Sequence, residues 1–311
     1  MASTNGAERR ANLKLPSQIR IVKDFCGFKA LGLPSFGNIC LAFVWQHGVM
    51  TPLPTLGGPN AVGNQINNRG QIAGFAENTT RDPNCQSSGS QKLEFKPVVW
   101  RNGQVEELPT TSGDRDGVAL GINEHDQVVG GSGSCTAFNQ AFQIYLQPSH
   151  ALLWENGRVI DLKNLGGKFG NLAFGINNQG QLVGSSDLPG DTISHAFLWT
   201  KETGMQELRP FHGDVISGAL GINDRGEVVG TSLDANFNLG AVVWKNRVPV
   251  DLNTLVIDND SGWFLQLAES INSRGEIVGF AMEKSTGDTH AYLATPCDRD
   301  HDGTECCRDD D

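Results

Sequence analysis

Four small groups of polar side chains in this 311-residue chain have the types and spacing that chemistry could use. Asp114, Arg115 and Asp116 are consecutive, His212 and Asp214 flank a glycine, and Asp258 and Asp260 precede Trp263. The fourth is a single residue, Glu269, whose counterparts in related segments are Leu120, Phe174 and Leu220. A carboxylate placed where its relatives are apolar is costly unless it is solvated or paired. Carboxylates facing each other across a cleft can act as acid and base on a glycosidic bond, with an aromatic ring as the sugar platform. On that reasoning Glu269, His212 and Asp214 are the catalytic candidates, His212 being a base oriented by Asp214. Asp114, Arg115, Asp116, Asp258, Asp260 and Trp263 are the ligand-binding candidates. The plainer reading makes them ordinary polar turn residues, with Glu269 exposed at the channel mouth or hydrogen-bonded between blades, and no spacing separates hydrolysis, lyase action and simple binding.

The C-terminal tail suggests a different chemistry. Asp298, Asp300 and Asp302 alternate ahead of Gly303, as at the opening of a calcium loop, and Asp309 falls at the twelfth position. Hard oxygen donors at this spacing favour Ca²⁺ over a transition metal. Against this, Asp is shorter than the usual bidentate Glu, no flanking helices are evident, and Cys306 and Cys307 interrupt the pattern. The competing expectation is an acidic tail tethered by a cysteine. The rest of the sequence requires no cofactor.

The elements that must position these groups are written as repeats. Residues 219–230 read Ala-Leu-Gly-Ile-Asn-Asp-Arg-Gly-Glu-Val-Val-Gly, with relatives at 63–74, 119–130, 173–184 and 268–279. Their asparagines fall at Asn67, Asn123, Asn177, Asn223 and Asn272, a period of about 50 residues, which implies stacked or radial units. Asn favours a turn and the following Gly accepts positive φ, so a hairpin is nearly forced. A second phrase interleaves, as in residues 42–45, 97–100, 150–154, 195–199, 240–244 and 290–293, and five of its copies end in Trp. One unit then reads as four strands: Val215–Ile222, Glu227–Ser232, Leu239–Trp244 and Val248–Leu252. Small residues in the first strand suit the crowded centre of a radial fold, and the Trp suits the wider space between sheets.

This predicts an all-β chain forming a single six-bladed β-propeller over residues 18–296. Residues 1–17 are then a flexible N-terminal segment and 297–311 an acidic, Cys-rich tail. A degenerate sixth first strand lies at Ala30–Gly37, and Ile19–Phe25 is suited to be the fourth strand of the last blade, closing the ring. The alternative is five blades with N-terminal additions. Loops joining fourth to first and second to third strands share one face, which holds the variable segments, so binding groups are expected there.

A formal net charge of −11 argues against a nucleic-acid groove or an anionic membrane surface. No run is long enough for a membrane span, and the N-terminus lacks the apolar core of a secretory signal. A monomer binding a small molecule or polysaccharide is expected. The seven cysteines lie outside the repeated phrases without Cys-x-x-Cys spacing, which favours disulfides over metal fingers. The combination of His195-Ala-Phe-Leu-Trp199 with the Gly-Ile-Asn-x-x-Gly phrase resembles the bacterial extracellular HAF-repeat proteins over roughly residues 40 to 295. That resemblance implies an extracellular or cell-surface protein whose signal peptide is absent from this sequence, and it transfers no catalytic residue. His150, His195 and His290 match the motif whereas Leu41, Lys96 and Gly240 do not, so a ring of identical histidine ligands is not supported. The expected function is an extracellular ligand-binding or scaffold propeller, with glycans among the ligand classes, and the alternative is a glycan hydrolase or lyase acting at the central cleft.

Overall fold

The computed structural model describes residues 41–85, 92–139, 144–257 and 262–296. Over these residues the chain forms six antiparallel sheets arranged as a six-bladed β-propeller. The first has two strands, β1 (Phe43–Gln46) and β2 (Val49–Pro52). Four-stranded sheets follow: β3 (Ala61–Ile66), β4 (Ile72–Arg81), β5 (Leu93–Arg101) and β6 (Gln104–Glu107); then β7 (Asp116–Ile122), β8 (Val128–Asn139), β9 (Ile144–Glu155) and β10 (Arg158–Asp161). The next two are β11 (Leu172–Ile176), β12 (Leu182–Asp187), β13 (Ser194–Thr200) and β14 (Gly204–Leu208), and β15 (Ile216–Ile222), β16 (Val228–Leu233), β17 (Leu239–Lys245) and β18 (Val248–Asp251). The last has three, β19 (Trp263–Ile271), β20 (Ile277–Glu283) and β21 (Thr289–Ala294). The strands expected in the unit beginning at Val215 are all present to within a residue or two at each end. Ile19–Phe25 and Ala30–Gly37, the segments expected to close the ring and to supply a first strand, lie outside the described residues, as do 1–17 and 297–311.

The repeated phrase accounts for the first hairpin of each sheet. Its turn glycine has positive φ in four copies, as at Gly180 (74°) and Gly226 (76°), and Asp126 takes the same conformation (62°) in the copy that lacks it. The phrase's last glycine answers to a different constraint. Each first strand carries a bulge opposite it, as between Ala119 and Gly121 or Ala219 and Gly221. There a Cβ on Gly130 would meet the Val118 carbonyl oxygen at 1.9 Å and one on Gly230 the Gly218 oxygen at 2.0 Å, so no side chain fits.

The asparagine does more than turn the chain. Asn177 Oδ1 accepts from the backbone N–H of Gln179 (3.1 Å) and Gln181 (2.9 Å), which fixes the turn. Its Nδ2 donates to Gln181 Oε1 (2.7 Å) and then crosses to the next blade, reaching the Asn223 carbonyl at 3.0 Å. The crossing bond recurs from Asn67 to Asn123 (3.0 Å), Asn123 to Asn177 (3.0 Å) and Asn223 to Asn272 (3.1 Å). The asparagines therefore form a relay that ties five blades together.

Apolar cores fill the space between sheets rather than the sheets themselves. One holds Val99 and Leu108 from the second blade with Ile122 and Trp154 from the third, and equivalent clusters join each later pair. The expected inter-blade role of the tryptophans holds, and a hydrogen bond adds to it. Nε1 of Trp100, Trp154 and Trp244 donates to the carbonyl of Pro54, Pro109 and Arg209, each just past the last strand of the preceding sheet. The last sheet differs, because its face turned away from the fifth blade leaves Val278 (44%), Phe280 (47%) and Leu293 (63%) exposed.

Candidate functional site

The hairpins of the asparagine relay close one end of the propeller around a polar cavity of about 230 Å³, to which five blades contribute. The variable loops occupy the opposite face, and most of the candidate residues that can be described belong to them. The structure does not assemble the catalytic candidates into one group. His212 is exposed in the β14–β15 connection and Asp214 follows it in a turn closed by Asp214 N–H donating to Phe211 O (2.9 Å). Among the described residues no hydrogen bond or ion pair joins these two side chains, or joins either to Glu269. Glu269 is exposed and occupies the bulge of β19 between Ala268 and Ser270, so solvent meets the cost of its charge.

The three consecutive candidates diverge, as alternation along an extended chain requires. Asp114 turns into the mouth of the third blade, where its Oδ2 accepts from Thr111 Oγ1 (2.6 Å) and Ser132 Oγ (2.5 Å) and lies 2.8 Å from His150 Nδ1. Sheet register places Ser132 directly opposite His150, which is how residues far apart in sequence meet. The His150 ring remains about one third exposed (36%), and among the described residues its Nε2 has no hydrogen-bond partner. Ser132 is fully buried and bonds the carboxylate rather than the imidazole, so the group is an Asp–His dyad and lacks the serine-to-histidine contact of a nucleophilic triad.

Arg115 is exposed and pairs with Glu94 (3.1 Å), which also receives Lys96 (2.9 Å). Burial opposes the charge on Glu94, but the Lys96 hydrogen bond, followed by those of Asn78 and Arg115, holds its carboxyl below the ordinary glutamate value. Lys96 Nζ also donates to the Arg115 carbonyl, so the expected ligand-binding arginine is held at both ends.

Asp116 was expected on the binding surface and lies inside instead, fully buried. Its Oδ1 accepts from Phe95 N–H (3.0 Å) and its Oδ2 from Cys135 N–H (3.0 Å). Beside it sits Asp82, only 2% exposed, with its carboxyl against that of Asp116. Burial first, and then the bond to Asp82, push the Asp116 carboxyl up to about 8. Next to the pair, Cys85 and Cys135 form a disulfide with Cα atoms 4.9 Å apart, in accord with the expectation that the cysteines favour disulfides.

Trp263 is partly exposed (37%) at the start of β19, with its ring edge-on to His290 at 4.9 Å between centroids. Asp258 and Asp260 lie outside the described residues, as do the calcium candidates Asp298, Asp300, Asp302 and Asp309. Two other clusters could coordinate a metal ion, namely Asp82 with Cys85 and Cys135, and Glu283 with Asp288 and His290. No helix among the described residues is long and apolar enough to cross a membrane.

Sequence reasoning passed over Phe237, at the tip of the β16–β17 loop. It is 71% exposed and has left-handed backbone (φ 63°), a conformation that costs a non-glycine residue about 1–2 kcal/mol. Asp234 holds it there. Asp234 Oδ1 accepts from Asn236 N–H (2.8 Å) and Asn238 N–H (3.0 Å), Oδ2 accepts from Asn238 Nδ2 (2.8 Å), and Phe237 N–H donates to Asp234 O (3.0 Å). The Asn238 side chain, with these backbone bonds, holds the Asp234 carboxyl below the ordinary aspartate value. Phe169 (37% exposed) belongs to a loop on the same face, so three aromatic rings are displayed there with Phe237 and Trp263.

No protein-family model and no curated protein matches the chain. Among solved structures it is similar to the β-propeller domain of the Trilobed protease from Pyrococcus furiosus, at 10% identity and a TM-score of 0.42, over 68% of this chain and 57% of that one. It is also similar to a puromycin-hydrolyzing peptidase of Mycobacterium tuberculosis, at 13% identity and a TM-score of 0.45, over 81% of this chain and 42% of that one. The chain thus spans about half the length of these structures. Both are distant likenesses to propeller-fold proteins and carry no activity across to this one.

Proposed function

We propose that this protein is a propeller scaffold that binds a glycan outside the cell, on the face built from the variable loops. Phe237 carries the reading. A large apolar ring is kept in water, on backbone that would favour glycine, by a turn whose hydrogen bonds are all internal to the loop. Such strain persists where a displayed side chain is in use. A flat aromatic ring beside satisfied polar groups suits the apolar face of a sugar, and the Cys85–Cys135 disulfide supports an oxidising location.

The test is a glycan array probed with the full chain, followed by titration of the best ligand against Phe237→Gly. Glycine relieves the backbone strain, so the variant should melt at or slightly above the parent temperature while binding weakens about tenfold, the equivalent of a lost ring contact. Undiminished binding in that variant would sink the proposal.

A second reading, an enzyme of the glycan hydrolase or lyase type, is favoured by the Asp114–His150 dyad. A carboxylate that engages Nδ1 leaves Nε2 as the basic atom, which is how a general base is oriented. This reading expects bound glycan to be converted to product, and expects His150→Ala to lower the rate by about 100-fold or more while binding persists. Binding without turnover in the parent protein decides for the scaffold.

A further inference from the structure

Apart from the bearing of the disulfide on location, neither reading uses the interior group formed by Asp82, Asp116, Cys85 and Cys135. Asp82 Oδ1 is engaged by Asn84 N–H (2.7 Å), but its Oδ2, although buried, finds no N–H or hydroxyl donor among the described residues. A carboxylate oxygen and the two sulfurs lie within 4.8 Å of one another. Asp116 braces both sides of this group, contacting the Asp82 carboxyl and accepting from the backbone N–H of Cys135. We propose that, with the disulfide reduced, Cys85 Sγ, Cys135 Sγ and Asp82 Oδ2 form a site for a thiophilic divalent cation of the zinc type, with Asp116 as the positioning residue.

The chemistry balances as follows. A dithiol reductant gives two electrons and two protons to the Cys85–Cys135 bond and leaves as its own disulfide, producing two thiols. Zn²⁺ then displaces those two protons and binds the two thiolates together with the Asp82 carboxylate. Zinc sits about 2.3 Å from sulfur and about 2.0–2.2 Å from carboxylate oxygen, which requires ligand atoms roughly 3.5–3.8 Å apart in a tetrahedron. The three donor atoms lie within 4.8 Å of one another, and the two sulfurs, joined in the disulfide, separate toward that spacing by side-chain rotation once their bond is broken. A mixed sulfur and oxygen donor set, with Asp82 and Cys135 buried and Cys85 half-buried, selects zinc over Ca²⁺. The same loop is therefore stapled in either redox state, by a covalent bond when oxidised and by a cation when reduced.

Cobalt(II) tests this, because thiolate ligation gives it a charge-transfer band that carboxylate ligation alone does not. The full chain is used with Cys26, Cys40, Cys297, Cys306 and Cys307 replaced by Ser, so that only this pair can ligate through sulfur. A phosphine serves as reductant and leaves as its oxide, so no competing thiol is present. The reduced protein should take up one Co²⁺ with the thiolate band, zinc should displace it, and the oxidised protein should show neither. Asp82→Asn should weaken binding about 100-fold and Asp116→Asn about tenfold, in line with losses on removing ligand-supporting groups. Circular dichroism of each reduced variant establishes that it is folded. No band in folded reduced protein, equal binding by the oxidised form, or indifference to Asp82→Asn would each overturn the proposal.

Discussion

Asp116 shows how far a single residue's chemistry depends on where its sheet ends. In sequence it is one of three consecutive charged residues, and only the start of β7 decides that it points inward while Arg115 beside it faces solvent. Its raised carboxyl has a direct consequence for stability. Between about pH 4 and about 8 the unfolded chain has released this proton and the folded chain still holds it. Unfolding then releases a proton, so stability falls as pH rises through that window, by up to about 1.4 kcal/mol per pH unit, and levels off above it. Urea midpoints at pH 5.5 and pH 8 should separate in the parent protein and converge in Asp116→Asn, which cannot titrate. An unchanged pH slope in that variant would place the effect elsewhere. The Asp114–His150 contact was equally hidden. Both residues were in view, but they are 36 positions apart and meet only through the β7–β8 and β8–β9 registers, which no local pattern reports.

At the scale of the element, the turn was legible and its partner was not. Asn followed by a positive-φ Gly announces a hairpin because both preferences are local. The carbonyl that each Asn side chain reaches has no residue signature, since every residue carries one, so the inter-blade half of the motif emerges only when the blades are set side by side. Asn177 makes two turn bonds, one side-chain bond and one crossing bond. At about 1 kcal/mol for each net hydrogen bond, Asn177→Ala should cost roughly 3–4 kcal/mol by denaturant titration. Asn272 makes the turn bonds and the Glu276 bond, with no crossing bond among the described residues, so Asn272→Ala should cost measurably less. Equal losses would mean that the crossing bond contributes nothing. The final Gly of the phrase was also readable as conserved spacing within the repeats, yet its reason, the bulge that leaves no room for Cβ, belongs to the paired strand.

For the whole molecule, the described sheets account for the repeats and leave one face open. β21 has no outer partner among the described residues, and Val278, Phe280 and Leu293 are exposed beside it. The sequence pattern assigns Ile19–Phe25 to that edge. Removing residues 1–40 should therefore lower the melting temperature and promote self-association through the bared edge, measured by light scattering. A truncated chain as stable and as monomeric as the full one would refute that closure. The asparagine relay has a direction as well as a path, because every crossing donor reaches a carbonyl 46 to 56 residues further along the chain. On the ribosome, then, a finished blade waits unlocked until its successor has emerged, and synthesis from the N-terminus becomes a succession of one-way clasps, each closed by the next blade to be made.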